Sequence, residues 1–169
     1  MLLDGNERLM GEDDLIVSKT NLKGHITYAN EAFLDIAGYK LKEVLGEPHS
    51  MIRNQSMPRC IFRLLWEKIS DGKEIFAYVV NATKAGDHYW VLAHVTPSRD
   101  ANGEISGFHS NRRKPTDAAV SVIKNLYADL LAEENRHSNG KESVAASYQM
   151  LMDVLAKKGV EYDEFVLSI

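Results

Sequence analysis

Residues 74–113 read EIFAYVVNATKAGDHYWVLAHVTPSRDANGEISGFHSNRR, and this stretch decides the fold. Three runs rich in β-branched and aromatic residues, 74–83, 88–97 and 105–113, are separated by Lys84-Ala85-Gly86-Asp87 and by residues 98–103. Gly, Asp and Asn in those breaks supply the backbone freedom and local hydrogen bonds of tight turns, so the three runs are predicted to form an antiparallel meander. Upstream, residues 15–20 and 25–29 flank Asn21 to Gly24 and read as a hairpin.

Between hairpin and meander the period changes. Asn30 is placed to cap a helix over 31–37 that Gly38 stops, and a second short helix over 41–45 ends at Gly46. Pro58 stands where a helix can begin without losing a needed donor. That helix carries Ile61, Phe62, Leu65, Trp66 and Ile69 on one face and closes at Asp71-Gly72. Two strands, several short helices and three strands make an α+β domain, with short helices on one face of a five-stranded antiparallel sheet.

After Pro115 the pattern becomes purely helical. Thr116 caps a stripe of Val120, Ile123, Leu126, Tyr127, Leu130 and Leu131, with Asp117 at the positive end of the dipole. Residues 135–140 break this helix, and a second over 141–158 presents Val144, Tyr148, Leu151 and Leu155 before Gly159. The tail, 162–169, is too apolar to stay in water and is expected to dock on this helical pair or on a partner. The division is thus a lead-in or cap over 1–13, a domain over 14–114 and an extension of two helices over 115–169. In the lead-in, Leu2, Leu3, Leu9 and Met10 offer at most a turn or two of weakly amphipathic helix.

Composition narrows the function. A net charge of −4 across 169 residues, without a basic face, argues against nucleic acid as a partner. One cysteine, Cys60, rules out an intrachain disulfide framework and fits a reducing cytoplasm. The acidic start and the lack of a long uncharged apolar run predict neither a secretory signal nor direct membrane insertion. No nucleophile elbow, phosphate loop, zinc-protease motif or kinase box is present, and Asp13-Asp14 and Glu133-Glu134 read as solvated charge, so the chain is not expected to be an enzyme.

The element order resembles the PAS fold. Ile26-Thr27-Tyr28-Ala29-Asn30-Glu31-Ala32-Phe33, Gly38-Tyr39, Leu45-Gly46 and Gly86-Asp87-His88-Tyr89-Trp90 resemble PAS motifs. Pro48-His49-Ser50-Met51-Ile52-Arg53, Met57-Pro58, Phe62, Leu65-Trp66 and Gly107-Phe108 are similar in order and spacing to the PAS domains of bacterial aerotaxis receptors. The resemblance implies FAD in a pocket between sheet and helices, with His49, Arg53, Asn54, Trp66, Asn81 and Trp90 as cofactor-contacting positions. The chain departs from the family pattern at Asn54-Gln55-Ser56, where a histidine and a carboxylate usually stand, and at Glu74-Ile75-Phe76-Ala77.

Each of those residues also has a plainer reading. Trp66 fits a core position, Arg53 a solvated charge, Asn81 a partner for backbone groups and His49 a residue ordering its own loop. Haem would need a histidine ligand; His49, His94 and His109 are the candidates, the last two on strands whose alternation can point them inward, and haem is judged unlikely. Cys60 lies outside the Asn-Cys-Arg-Phe motif of flavin-cysteine photochemistry. The resemblance therefore implies a cytoplasmic redox or oxygen sensor that relays its state through the C-terminal helices. Homodimerisation through exposed sheet edges and flanking helices, or docking on a chemotaxis or signalling partner, fits the same pattern. The alternative is a cofactor-free or other-ligand PAS module acting as an adaptor in chemotaxis-type signalling.

Overall fold

The computed structural model describes residues 3–169. Strands β1 (Ile16–Asn21) and β2 (Ile26–Ala29) are followed by helices α1 (Glu31–Ala37) and α2 (Leu41–Val44), a single 3-10 turn (His49–Ile52) and helix α3 (Arg59–Ser70). The meander β3 (Ile75–Ala82), β4 (His88–Arg99) and β5 (Ile105–Arg113) comes next, then α4 (Asp117–Glu134), α5 (Gly140–Lys158) and α6 (Tyr162–Leu167). The five strands form one antiparallel sheet in the order β2-β1-β5-β4-β3, so the hairpin and the meander meet where β1 pairs with β5.

Local signals set these elements. Asn30 Oδ1 accepts from Phe33 N–H at the start of α1 and from Val17 N–H, while its amide donates to the Leu15 carbonyl, pinning the helix to β1. Thr116 Oγ1 accepts from Ala119 N–H at the start of α4. Gly107 is dictated by closeness: a Cβ there would lie 2.2 Å from the Thr20 carbonyl oxygen across the β1–β5 junction.

Alternation splits the sheet into two faces. Ser18, Ser110, Ala93 and Val79 face α3, whereas Tyr78, Val80 and Trp90 face away from it. The C-terminal helices wrap the free edge of β3. Tyr127 of α4 packs on Trp90 with ring centroids 6.2 Å apart, α5 packs against α3 and α6 against β3.

Three expectations change here. Leu3 to Asp13 forms no helix; Asn6 and Arg8 exchange backbone hydrogen bonds with His88, and Met10 is buried. Leu2, part of the same expectation, lies outside the described residues. The tail forms a third C-terminal helix, α6, and docks on β3, with Phe165 and Val166 buried.

The β3 edge is also not open to a partner strand. Asp163 Oδ1 accepts from Phe76 N–H at 3.1 Å, the Tyr127 hydroxyl donates to the Tyr78 carbonyl at 2.5 Å, Met57 Sδ accepts from Val80 N–H and Arg53 bridges Asn81. These contacts, three through side chains and one through the Arg53 backbone, blunt the edge with other parts of the same chain. Tyr127→Phe leaves the Tyr78 carbonyl unpaired in a site with no access to water, and is expected to cost about 1–3 kcal/mol in urea unfolding. An unchanged midpoint would show that this bond contributes nothing net.

Candidate functional site

A hollow of about 290 Å³ lies between the inner face of the sheet and α3. Its origin is side-chain size. Ser18, Ser110 and Ala93 occupy the centre of that face, on three neighbouring strands, and are too short to reach the helix. The roof is the apolar face of α3, namely Phe62, Leu65, Trp66 and Ile69, and Val79, Val95 and Phe108 complete the walls.

The floor is polar, and its key residue is Arg112. This side chain is buried at 4% exposure, with no carboxylate beside it. Its Nη2 donates to Ser18 Oγ at 2.6 Å and to His49 Nε2 at 2.8 Å, and Nη1 has no hydrogen-bond partner. Burial lowers the guanidinium from its usual range to about 10, which still leaves it charged at neutral pH. Because arginine only donates, His49 Nε2 must accept, so the imidazole is neutral with its proton on Nδ1. Burial, and then the adjacent Arg112 charge, push His49 down to about 3. Asn81 Nδ2 and Ser110 Oγ are likewise buried, line the cavity and lack partners.

Charge at the mouth has the same sign. Among the described lining residues Lys23, Arg53 and Arg112 are cationic and none is Asp or Glu. Arg53 sits exposed at the rim with its guanidinium 4.5 Å over the Phe62 ring. Trp66, 40% exposed, spans the gap between α3 and the β1–β2 turn, edge-on to Phe108 at 5.4 Å. Gly24, at φ +78°, lets the indole come this close: a Cβ there would lie 3.2 Å from it.

Of the residues singled out in the sequence, His49, Arg53, Trp66 and Asn81 come together around the cavity. Asn54 and Trp90 do not. Asn54 is buried and its Oδ1 accepts from Ser56 N–H, so it shapes the loop. Trp90 occupies the opposite face of β4, against Tyr127, because only odd positions of that strand look toward α3. His94 and His109 share that outer face, His94 stacked on Phe76 at 4.2 Å and bonded to Glu74, so neither points inward as a haem ligand would. Cys60 faces α5, and burial raises its thiol to about 11. The residue missed in the sequence is Arg112; its signal is parity, since it shares a strand face with Phe108 and Ser110.

The five-stranded sheet and the short helices over one of its faces thus enclose a cationic hollow. The PAS fold family matches residues 26–112, and the chain belongs to that family. It is 37% identical over 123 residues to the aerotaxis receptor of Escherichia coli (strain K12), covering 73% of this chain and 24% of the receptor, so it spans about a quarter of that relative. Among solved structures, the dark state of the blue-light photoreceptor Aureochrome1 LOV matches with a TM-score of 0.58 at 23% identity, over 65% of this chain and 82% of that one. A light-oxygen-voltage domain studied with a flavin analogue matches with a TM-score of 0.55 at 22% identity, over 73% and 87%. Among the described residues no helix is long and apolar enough to cross a membrane, and no cluster of His, Cys, Asp and Glu is suited to hold a metal.

Proposed function

We propose that residues 14–114 form a sensory domain that binds a flavin in the cavity and reports redox or oxygen status through residues 115–169. The observation that carries this reading is the floor: a buried guanidinium without a counter-charge, beside Asn81 Nδ2 and Ser110 Oγ without partners. Buried polar groups left unpaired are costly, and a flat ring bearing carbonyl oxygens and ring nitrogens would satisfy all three. The size also fits, since a hollow of about 290 Å³ takes one fused ring system and sends the rest of the molecule out of the mouth.

When bound, a flavin supplies reversible electron exchange and with it a change of charge on the ring. The chain's own residues answer that change. Arg112 holds a fixed positive charge at the floor, and neutral His49 keeps its accepting nitrogen turned to Arg112 and away from solvent. Asn81 offers an amide donor from β3, while Trp66, Phe62 and Phe108 keep water from the ring. At the rim Arg53 and Lys23 suit a phosphate or pyrophosphate, and the resemblance to aerotaxis receptors is the basis for naming FAD.

The likeness to an aerotaxis receptor supports oxygen or redox status as the signal. A cytoplasmic setting, self-association and an output through a chemotaxis-type signalling protein belong to the same proposal. The test is direct. The purified chain is expected to be yellow, or to take up added FAD tighter than about 10 µM, with mass analysis of the released ligand separating FAD from the mononucleotide. A colourless protein that binds neither would end the reading.

A further inference from the structure

Glu134, the last residue of α4, reads as solvated charge in the sequence but is 5% exposed and sits where three helices meet, because its donors come from elements far apart in the chain. Its Oε1 accepts from Cys60 N–H at 3.1 Å and from the Ser147 hydroxyl at 3.0 Å, and its Oε2 pairs with Arg59 Nε at 3.2 Å. Its carbonyl accepts from the Ser143 hydroxyl at 2.6 Å, and Ser143 Oγ in turn accepts from Arg59 Nη2. The carboxylate thereby caps α3 from 74 residues away, where Pro58 offers no capping side chain.

Helix α3 has two working faces. One roofs the cavity through Phe62, Leu65, Trp66 and Ile69. The other is tied to α5, by the Glu134 cluster at its first turn and farther along by Tyr148, which donates to Glu67 at 2.8 Å and lies 4.3 Å under the Arg63 guanidinium. A shift of α3 toward or away from the sheet therefore acts first on the Cys60 N–H and the Arg59 pair. Glu134 cannot remain buried without those donors, so the cluster has two states: closed, or open with the carboxylate and the first turns of α5 in water.

We propose that Glu134 is the latch coupling the cavity wall to the C-terminal hairpin: displacement of α3 by the cavity's contents releases residues 140–148, and removing the charge uncouples them while leaving the cavity intact. This rests on the sensory reading of the cavity. The experiment is native-state hydrogen exchange on the full chain, following peptides that cover 59–66, 140–148 and, as a reference, 31–37. In the flavin-free chain, Trp66→Ala perturbs the cavity face of α3 and is expected to raise exchange over 140–148 by about 3-fold or more relative to 31–37. In the Glu134→Gln background that rise should fall below about 1.5-fold, because the hairpin start is already released.

Ser147→Ala, which removes one donor and keeps the charge, should give an intermediate response and serves if Glu134→Gln does not fold. With FAD bound, chemical reduction should change exchange over both segments in the parent chain and over 59–66 alone in Glu134→Gln. An equal rise over 140–148 with and without the carboxylate would overturn the latch. Failure to take up FAD would strike the flavin reading alone, because the Trp66 and Glu134 cycle is run without it.

Discussion

Arg112→Met is expected to stabilise the empty domain by about 1–3 kcal/mol and to weaken flavin binding about 100-fold or more. Folding buries the Arg112 guanidinium with two neutral acceptors, Ser18 and His49, and leaves Nη1 without any. Taking a cation out of water for so little return is unfavourable, and a methionine of similar reach would fill the space at lower cost. Ser18 Oγ lies 3.2 Å from His49 Nε2, so the hydroxyl can donate to the ring once the guanidinium is gone. The empty fold therefore loses little, whereas the ligand loses the one fixed charge on its floor. Urea unfolding of the flavin-free chain, together with a fluorescence titration with FAD, measures both sides. A variant that is less stable and binds FAD as before would show that Arg112 is a structural residue.

The second large effect is acid lability centred on His49. Its unfolded-state value is about 6.5, and in the fold burial and Arg112 hold it at about 3. Between these values the unfolded chain binds a proton that the native chain refuses, so stability rises with pH across that window. The contribution is complete above about pH 6.5 and is lost as pH falls toward 3, on the order of 5 kcal/mol in all. Arg112 acts on the ring from the sheet, Ser18 lies beside the same nitrogen, and Phe33 of α1 meets the ring edge-on at 6.0 Å, so nothing acidic offsets the repulsion. His49→Asn keeps a polar group without titrating. Guanidinium melts from pH 7 to 4 should show a steep loss for the parent chain and a clearly shallower one for this variant. Parallel slopes would mean that His49 titrates normally in the fold.

Much of the candidate site's lining was legible in the sequence; Asn54 turned out to shape its own loop, and the two failures on strands have one cause. His49, Arg53, Trp66 and Asn81 were found through neighbouring residues that resemble a known pattern. Trp90, from the same kind of motif, faces the wrong way, and Arg112 was passed over although it lines the floor. A strand read alone has two faces, and nothing within β4 or β5 says which one looks at α3. That is settled by register, with Arg112 opposite Ala93 and Ile16, and register depends on strands far apart in the chain.

The sequence by itself determined the order of elements from β1 to α5, the turns and caps, the α+β class and the PAS resemblance. These rest on signals within a few residues: Asn30 and Thr116 at helix starts, Gly38 and Gly159 at helix ends, Gly86 and Gly103 in turns. The tertiary structure alone decided that short side chains on three strands leave a hollow, that a lone cation lies at its floor, that the tail covers the β3 edge and that Glu134 caps a helix 74 residues away. Turns and caps are governed by short-range sterics and hydrogen bonds. A cavity, a desolvated charge and a distant cap exist only once packing has removed water from groups that the chain order keeps apart.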